Sequence, residues 1–289
     1  MNPKPFEYHA PKSLEEAASI FERYGTDAKV LAGGQSLIPL MKLRLVSPAH
    51  LIDLGRIGGL SYIRVEGGEL AIGAMTRMAE IARSDLVNKE CPMLRQCALG
   101  IGDAEVRNMG TIGGNLSHAD PTNDMPAVMV ATGASLVAFS RRGRRTLPAS
   151  GFFLDTFATA LAEGEILSEV RIPAVRGRGG AYLKLERQAG DFAIAGVAVA
   201  LELTPDGVCT YCGIGLTSVG PKVIRATRAE NLLKGSKLEK AKIESAAEKA
   251  VEEAEPNTDL RGTADYKRAM VRVLTGRAIT EAMGRAGRR

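Results

Sequence analysis

The chain has 289 residues, of which 45% are hydrophobic and 25% are charged. This is the composition of a globular protein with room for two domains, and it excludes a disordered or fibrous chain. The longest apolar run, residues 192–201, is about half as long as a membrane-crossing helix. The N-terminus lacks the apolar core of a signal peptide. We therefore expect a cytoplasmic protein without a membrane span.

The net charge of +5 raises the question of a nucleic-acid partner. The positive charge is scattered, apart from two clusters: Arg141, Arg142, Arg144 and Arg145, and the tail residues Arg285, Arg288 and Arg289. Aromatic residues make up only 4% of the chain, so no stacking platform accompanies these clusters. We expect a turn between strands and a solvated terminus, or else a face toward an acidic partner subunit, and no nucleic acid.

The first 56 residues alternate predicted helices and strands. A capping box at Ser13–Glu16 starts a helix that Gly25 ends. The elements that follow are, in order, a strand at 29–32, a helix at 36–43 and a strand at 51–54. This order indicates a small β-α-β unit.

Residues 57–176 show a mixed order of elements. A hairpin is predicted at 62–72, with its turn at Gly67-Gly68. It is followed by predicted helices at 76–83, 92–99 and 125–131 and strands at 135–139 and 166–172. Mixed order favours an α+β domain over a doubly wound parallel sheet.

A linker rich in glycine and proline at 173–180 places a domain boundary near residue 176. Beyond it we predict strands at 182–187, 193–203 and 208–216, a helix near Arg225, and helices at 238–253 and 263–283. The last helix carries an apolar stripe that indicates core or subunit contact: Tyr266, Ala269, Met270, Val273 and Leu274. The predicted domains are therefore residues 1–176, in two parts (1–56 and 57–176), and residues 177–289.

The cysteines and histidines indicate neither a metal site nor a catalytic group. Cys209 and Cys212 form an isolated C-x-x-C within a predicted strand, so their thiols should point to opposite faces. Cys91 and Cys97 are spaced too widely for a metal knuckle. Of the histidines His9, His50 and His118, only His118 has a carboxylate nearby in sequence, and structural roles are favoured for all three.

Two glycine pairs carry the functional signal, at Ala32–Leu37 and at Thr111–Asn115. Glycine lets backbone N–H groups approach a diphosphate, because no Cβ intervenes and positive φ is accessible. A helix N-terminus adds free donors and a favourable dipole. Two such loops can hold one diphosphate from both sides. The G-x-G-x-x-G and P-loop signatures are absent from the sequence, which weakens a Rossmann or P-loop interpretation.

At these loops the chain resembles the FAD-binding medium subunits of the molybdenum hydroxylases, which include carbon monoxide dehydrogenase, quinoline oxidoreductase and xanthine dehydrogenase. The matching segments are residues 32–39, 73–76, 109–115, 118–126, 164–167, 190–192 and 259–262. The resemblance implies an α+β fold: a two-part FAD-binding domain of the vanillyl-alcohol-oxidase-like (PCMH) type, followed by a smaller C-terminal domain of a three-stranded antiparallel sheet and a helical bundle.

The same resemblance implies the residues that bind FAD. The diphosphate loops would be Ala32, Gly33, Gly34, Gln35, Ser36 and Leu37, and Gly110, Thr111, Ile112, Gly113, Gly114 and Asn115. Asp124 would lie near the ribityl or adenosine part, Ile166, Leu167 and Lys184 at the flavin or adenine end, and Phe192 near the isoalloxazine. Taken by themselves, Leu167 and Phe192 are typical core residues and Lys184 a surface lysine.

The implied function is electron transfer within a dimer of heterotrimers. A large molybdenum-cofactor subunit would oxidise the substrate, and a small [2Fe-2S] subunit would pass electrons to this chain's FAD. The terminal acceptor stays open among NAD, quinone, oxygen and a carrier protein. In the first loop this chain has Gln35 at the position where the pattern of the carbon monoxide enzymes has histidine. Together with the segment 117–120, this departure favours a heterocycle or aldehyde substrate. The alternatives are a stand-alone FAD enzyme with its own substrate pocket and a scaffold without flavin.

Overall fold

The N-terminal part of the protein is a small parallel sheet with two helices. The computed structural model describes residues 2–287. The elements of this part are β1 (Glu7–His9), α1 (Leu14–Tyr24), β2 (Ala28–Leu31), α2 (Leu37–Lys42) and β3 (His50–Asp53). The strand order is β1-β3-β2, and both pairs are parallel. The Ser13 hydroxyl caps α1 as predicted, whereas the Glu16 carboxylate accepts a hydrogen bond from the Lys12 N–H instead of closing the box on Ser13.

A five-stranded antiparallel sheet, a two-stranded sheet (β8-β9) and seven helices, one of them a single turn, form the next part, up to β10. These elements are β4 (Ile63–Glu66), β5 (Glu69–Gly73), α3 (Met78–Arg83), α4 (Asp85–Glu90), α5 (Pro92–Leu99), α6 (Ala104–Met109), α7 (Ile112–His118), α8 (Met125–Thr132), β6 (Ser135–Ser140), β7 (Gly143–Pro148), the one-turn α9 (Ala149–Phe152), β8 (Phe153–Asp155), β9 (Ala158–Thr159) and β10 (Ile166–Pro173). The strand order is β4-β5-β10-β6-β7. The predicted hairpin is confirmed, with positive φ at Gly67 and Gly68.

The C-terminal part is an antiparallel sheet covered by helices. Its elements are β11 (Gly179–Leu185), β12 (Ala195–Leu203), β13 (Cys209–Thr217), β14 (Ile224–Arg225), α10 (Thr227–Leu233), α11 (Lys240–Glu253) and α12 (Ala264–Arg285). The sheet has four strands, not the predicted three, in the order β11-β12-β13-β14. The added strand has only two residues, which is too short to show a periodic pattern. The predicted division of the chain near residue 176, between β10 and β11, stays a prediction.

The buried face of α12 differs from the predicted apolar stripe. Tyr266 and Val273 are exposed, although Leu274 is buried as expected. The buried side chains are Lys267, Val271, Leu274, Thr275, Ala278, Ile279 and Ala282. The core-facing side of this helix uses small and β-branched residues, so its large apolar side chains were a poor guide to its orientation.

Cys209 and Cys212 lie on the same side of β13, and the prediction of opposite faces was wrong. Leu203 pairs with Cys209 and Glu202 with Tyr211, so Thr210 is an extra residue, a β-bulge. The bulge reverses the alternation, and both thiols enter one core cluster. All four cysteines are free and buried.

Members of both arginine clusters are paired within the protein. Arg145 binds both oxygens of Glu165 at 2.6 and 2.7 Å and lies on the β6–β7 hairpin, as the turn interpretation predicts. Arg285 binds the side chain of Gln96 and the carbonyl of Gly180. Arg288 and Arg289 lie outside the described residues. Among the helices of residues 2–287, none combines the length and the apolar character needed to cross a membrane.

The helix α8 joins the two larger parts of the molecule. All eight of its residues are buried, and it packs on β13 and β12 of the C-terminal sheet. A Cβ on Gly213 would lie 2.9 Å from the carbonyl carbon of Ala131, and one on Gly215 2.9 Å from that of Ala127. These two glycines therefore let the helix backbone approach the strand directly.

We expect Gly215→Ala to lower the free energy of unfolding by about 1–3 kcal/mol, because the new methyl group meets backbone that cannot move cheaply. The matched control is Gly284→Ala in α12, where a Cβ would meet nothing within 4 Å. This control should be neutral or stabilising, since alanine favours a helix over glycine by about 1 kcal/mol. Urea denaturation of both variants checks the prediction, and equal effects would contradict it.

Candidate functional site

The first glycine loop, Ala32–Leu37, connects β2 to α2 and lies against the residues before α7. A Cβ on Gly33 would come within 2.8 Å of the Gly110 Cα, and Gly34 has a φ of +74°. Neither position accepts a side chain without a shift of the backbone or strain. The glycine pair is therefore required by close contact and by conformation, as well as by any ligand.

This loop presents unused backbone donors. Within the described residues, the N–H groups of residues 33–37 have no backbone acceptor, and the Ser36 side chain makes no capping hydrogen bond. Several adjacent free N–H groups at the start of a helix attract oxyanions. The first loop can therefore bind phosphate oxygens, and its assignment to the FAD diphosphate stays a prediction.

The second glycine loop uses its glycines mainly for packing. The N–H of Ile112 donates to Thr76 O and that of Gly113 to Ala74 O, at 3.0 and 2.8 Å. The Gly114 N–H donates to the Thr111 hydroxyl, which caps α7. Most backbone donors of this loop are therefore satisfied within the protein. The polar groups that it leaves are side chains.

Asn115 has a buried amide oxygen with no hydrogen-bond partner among residues 2–287. Its own backbone carbonyl accepts a hydrogen bond from the Asn123 amide, at 2.9 Å, which holds α7 against the segment before α8. An unpaired buried polar atom costs stability unless a ligand or water satisfies it. An amide can offer either its oxygen or its N–H₂ group to a ligand.

The two loops meet, as the sequence predicted. Gly33 contacts Met109 and Gly110, and a Cβ on Gly114 would lie 3.5 Å from the Ala32 Cβ. The Gln35 side chain reaches toward Gly110, with its Cγ 3.9 Å from the Cβ position there. The free donors of the first loop and the unpaired amide of the second therefore belong to adjoining segments.

Asp124 and Lys184 form a buried ion pair near this site. The Lys184 Nζ lies 3.2 Å from Asp124 Oδ2 and 3.0 Å from Glu186 Oε2, and both partners of the pair have side chains that are 7% exposed. The ammonium also donates to the carbonyl oxygens of Gly100 and Asp191, at 2.6 and 2.8 Å. Lys184 is therefore not the surface lysine that its sequence context suggests, and its donors are occupied.

The pKa values of this pair reflect its burial. Burial raises the pKa of Asp124, although the Lys184 charge and the Tyr182 hydroxyl oppose that shift. Burial lowers the pKa of Lys184, but Asp124 and Glu186 outweigh it and leave this pKa raised. The pKa of Tyr182, which donates to Asp124, is raised well above its ordinary value, first by burial and then by the Asp124 charge.

The other predicted contacts differ in exposure. Ile166 and Leu167, at the start of β10, are 3% and 4% exposed and belong to two different core clusters. Phe192 is 48% exposed, with the Arg261 guanidinium 5.4 Å from its ring centroid. Gly190, two residues earlier, packs directly on Gly102. Of the three apolar residues, only Phe192 presents a large surface to a ligand.

Two exposed apolar residues beside the first loop were missed by the sequence reasoning. Ile38 and Met109 are 40% and 47% exposed. The Ile38 side chain packs over Gly34, and the Met109 backbone contacts Gly33. Large apolar side chains left in water next to a glycine loop suit a flat aromatic ligand. The available signal was their place in the sequence, four residues after Gly34 and four residues before Gly113.

His118 shows no geometry for acid–base chemistry. Its Nε2 lies 3.9 Å from Asp120 Oδ2, while Asp120 Oδ1 accepts hydrogen bonds from both the backbone and the side chain of Thr122. Burial lowers the pKa of His118, and the Asp120 charge opposes this only in part. The pair shapes the turn after α7.

Comparison with known proteins agrees with this geometry. Residues 4–175 match the family model described as FAD binding domain in molybdopterin dehydrogenase. Residues 180–282 match that of the CO dehydrogenase flavoprotein C-terminal domain. The chain belongs to the family of FAD-binding medium subunits of molybdenum hydroxylases. FAD is therefore its cofactor, and the chain is an oxidoreductase subunit.

Individual relatives are similar over almost the whole chain. The carbon monoxide dehydrogenase medium chain of Hydrogenophaga pseudoflava is 46% identical over 99% of both chains, and a structure of that enzyme matches with a TM-score of 0.97 over 99% of this chain and 100% of that one. The glyceraldehyde dehydrogenase medium chain of Sulfolobus acidocaldarius is 38% identical over 97% of this chain and 99% of its own length. Quinoline 2-oxidoreductase of Pseudomonas putida 86 matches with a TM-score of 0.91 at 33% identity, over 98% and 99%.

We expect Lys184→Met to lower the free energy of unfolding by about 3–5 kcal/mol, because it leaves the buried Asp124 carboxylate unpaired. Lys89→Met, at a side chain that is 76% exposed, should change it by less than about 1 kcal/mol. Urea denaturation of the flavin-free proteins measures both. Adding Asp124→Asn to Lys184→Met should recover part of the loss, and a further loss of stability would contradict the ion-pair interpretation.

Proposed function

We propose that this chain holds FAD across its two glycine loops and relays electrons within a complex of three kinds of subunit. A large partner with the molybdenum cofactor oxidises the substrate, and a small [2Fe-2S] partner delivers the electrons. The observation that supports this most directly is the junction of the two loops, with free N–H donors on one and an unpaired buried amide on the other. Similarity to medium chains over 97–99% of the sequence supports the partners.

In this proposal the first loop binds the diphosphate. The N–H groups of residues 33–37 donate to its oxygens, with the Ser36 hydroxyl as a further donor. Gly110, Thr111 and Asn115 close the other side, while Ile112, Gly113 and Gly114 fix α7 in place. The close contact at Gly33 sets the distance between the two loops.

Lys184 and Asp124 act on the cofactor by positioning the segments around it. The Lys184 ammonium holds the carbonyls of Gly100 and Asp191 together. The second of these precedes Phe192, whose exposed ring we assign to the isoalloxazine end. Ile38 and Met109 offer further apolar surface, and Ile166 and Leu167 support the site from the core.

Bound FAD supplies the exchange between single electrons and electron pairs. The residues of this chain bind and orient it and carry no substrate chemistry of their own. The four cysteines lie two each in two separate core clusters, whereas a [2Fe-2S] cluster takes four cysteine ligands at one place. This placement supports an iron–sulfur centre on another chain, and the similarity to medium chains supports a separate molybdenum subunit. The cytoplasmic location, the terminal acceptor and the dimer of heterotrimers stay predictions.

The substrate belongs to the partner in this proposal. Gln35 and the segment 117–120 favour a heterocycle or an aldehyde, and the 46% identity to a carbon monoxide dehydrogenase medium chain makes carbon monoxide the second candidate. Medium chains of one architecture carry the names of carbon monoxide, glyceraldehyde and quinoline enzymes. This range supports a medium subunit that does not select the substrate.

We expect Asn115→Ala to weaken FAD binding at least about tenfold, because it removes one hydrogen bond to a polar atom of the ligand. A tenfold change in Kd corresponds to about 1.4 kcal/mol of binding free energy. Stability of the flavin-free protein should not fall, because the Asn115 amide oxygen has no hydrogen-bond partner in the part of the chain that the structure describes. The control is Asn88→Ala on α4, an exposed asparagine on another helix. Fluorescence titration of the flavin-free variants with FAD measures both affinities. Equal affinities would remove Asn115 from the site.

The relay function is tested on the native complex. Purification of the tagged chain from its own host should yield a complex containing FAD, molybdenum and iron in fixed ratio, and the isolated chain should not oxidise aldehydes, heterocycles or carbon monoxide. An isolated chain that turns over one of these substrates with FAD alone would favour the stand-alone enzyme. A colourless chain that stays so after incubation with FAD, in a complex whose flavin lies elsewhere, would favour the scaffold.

A further inference from the structure

Three side chains of the N-terminal sheet converge on one point, away from the glycine loops. They are Glu7 and His9 of β1 and His50 of β3. The His9 Nε2 lies 3.2 Å from the His50 Nδ1, and Glu7 Oε2 lies 3.3 Å from the same His50 nitrogen and 3.8 Å from the His9 nitrogen. Two ring nitrogens and one carboxylate oxygen therefore form a compact triangle.

The size of this triangle matches a tetrahedral metal site. Zinc binds imidazole nitrogen and carboxylate oxygen at about 2.0–2.2 Å, which places neighbouring ligand atoms of a tetrahedron about 3.3 Å apart. The three observed separations lie around that value. An N–H···N hydrogen bond accounts for the contact between His9 and His50. It does not account for the position of the Glu7 carboxylate oxygen, which faces both ring nitrogens.

The backbone and a neighbouring ring hold the triangle in place. Glu7 pairs with His50 across the parallel strands, and His9 follows two residues later on the same face. The Tyr24 ring, at the end of α1, stacks on His50 with 3.5 Å between ring centroids. His9 and His50 are only partly exposed, whereas the Glu7 side chain is 69% exposed. A solvent molecule can therefore complete the coordination.

We propose that Glu7, His9 and His50 bind one divalent transition-metal ion, with zinc as the first candidate. Two imidazoles and one carboxylate are the donors that zinc, cobalt, nickel and copper prefer, whereas magnesium and calcium take oxygen ligands. Glu7 and His50 are the first residues of β1 and β3, while the first glycine loop follows the end of β2. Because the strands are parallel, the start of β3 and the end of β2 lie at opposite ends of the sheet along the strand direction. The ion therefore joins the N-terminal strand to the rest of the sheet and does not contact the flavin.

Zinc titration of the tag-free, metal-stripped, flavin-loaded protein tests the proposal. Calorimetry should show one site of micromolar affinity or tighter, and zinc X-ray absorption should show two imidazole nitrogens in the coordination shell. His9→Ala and His50→Ala should each weaken binding at least about tenfold. Glu7→Gln should weaken it as well, and it disturbs no packing, because that side chain is mostly in water.

His118→Ala is the matched control, since His118 is the third histidine of the chain and lies on α7. It should leave zinc binding unchanged. Absence of saturable binding at micromolar zinc, or equal binding by the wild type and the His9→Ala variant with normal flavin content, would overturn the proposal. If His50→Ala fails to fold, the Glu7→Gln and His9→Ala variants decide the outcome.

Discussion

The buried ion pair between Asp124 and Lys184 is the contact on which the arrangement of the site depends. Asp124 stands at the start of α8, the helix that is buried between the two larger parts of the molecule, and Lys184 lies on the first strand of the C-terminal sheet. Two charges removed from water persist only where their remaining hydrogen-bonding capacity is used. Here the lysine also binds two backbone carbonyls and the tyrosine hydroxyl binds the aspartate. The segments around Gly100 and Asp191 are held at fixed places as a consequence. The core cluster that surrounds α8 contains residues of both parts, Tyr182 and Ala198 among them.

The two glycine pairs look alike in the sequence but have different structural roles. Gly33 and Gly34 leave a run of N–H groups without acceptors, whereas the N–H groups of Gly113 and Gly114 are bonded within the protein. In the proposed site, the first loop therefore supplies the free donors and the second loop fixes the position of the first. The contact between Gly33 and the residues before α7 makes the first loop depend on the second. A side chain at either glycine pair disturbs the same site for different physical reasons.

Local signals in the sequence predicted the fold well, and long-range pairing accounts for what they missed. The cap at Ser13 and the Gly67-Gly68 turn depend on a few adjacent residues, and both were predicted. The side on which Cys209 lies depends on a bulge at Thr210, which only the pairing with β12 reveals. Lys184 shows the same limit, because its four partners come from segments up to 84 residues away. For the candidate site, the resemblance of the motifs pointed to the two glycine loops. Only the structure shows which of their backbone N–H groups are free and which are already hydrogen-bonded within the protein.

The proposed metal ion adds a constraint on a short edge strand. The strand β1 has three residues at the edge of a three-stranded sheet, so few hydrogen bonds hold it. An ion bound to Glu7 and His9 on β1 and to His50 on β3 adds coordinate bonds between the two strands to these few hydrogen bonds. Ligand binding stabilises the folded state by RT ln(1 + [L]/Kd), which is about 2.7 kcal/mol at a hundredfold excess over Kd. Because the first glycine loop begins where β2 of the same sheet ends, a firmly held β1 also supports the loop that we propose to bind the diphosphate. The metal would then affect flavin retention through the sheet, at a distance from the flavin itself.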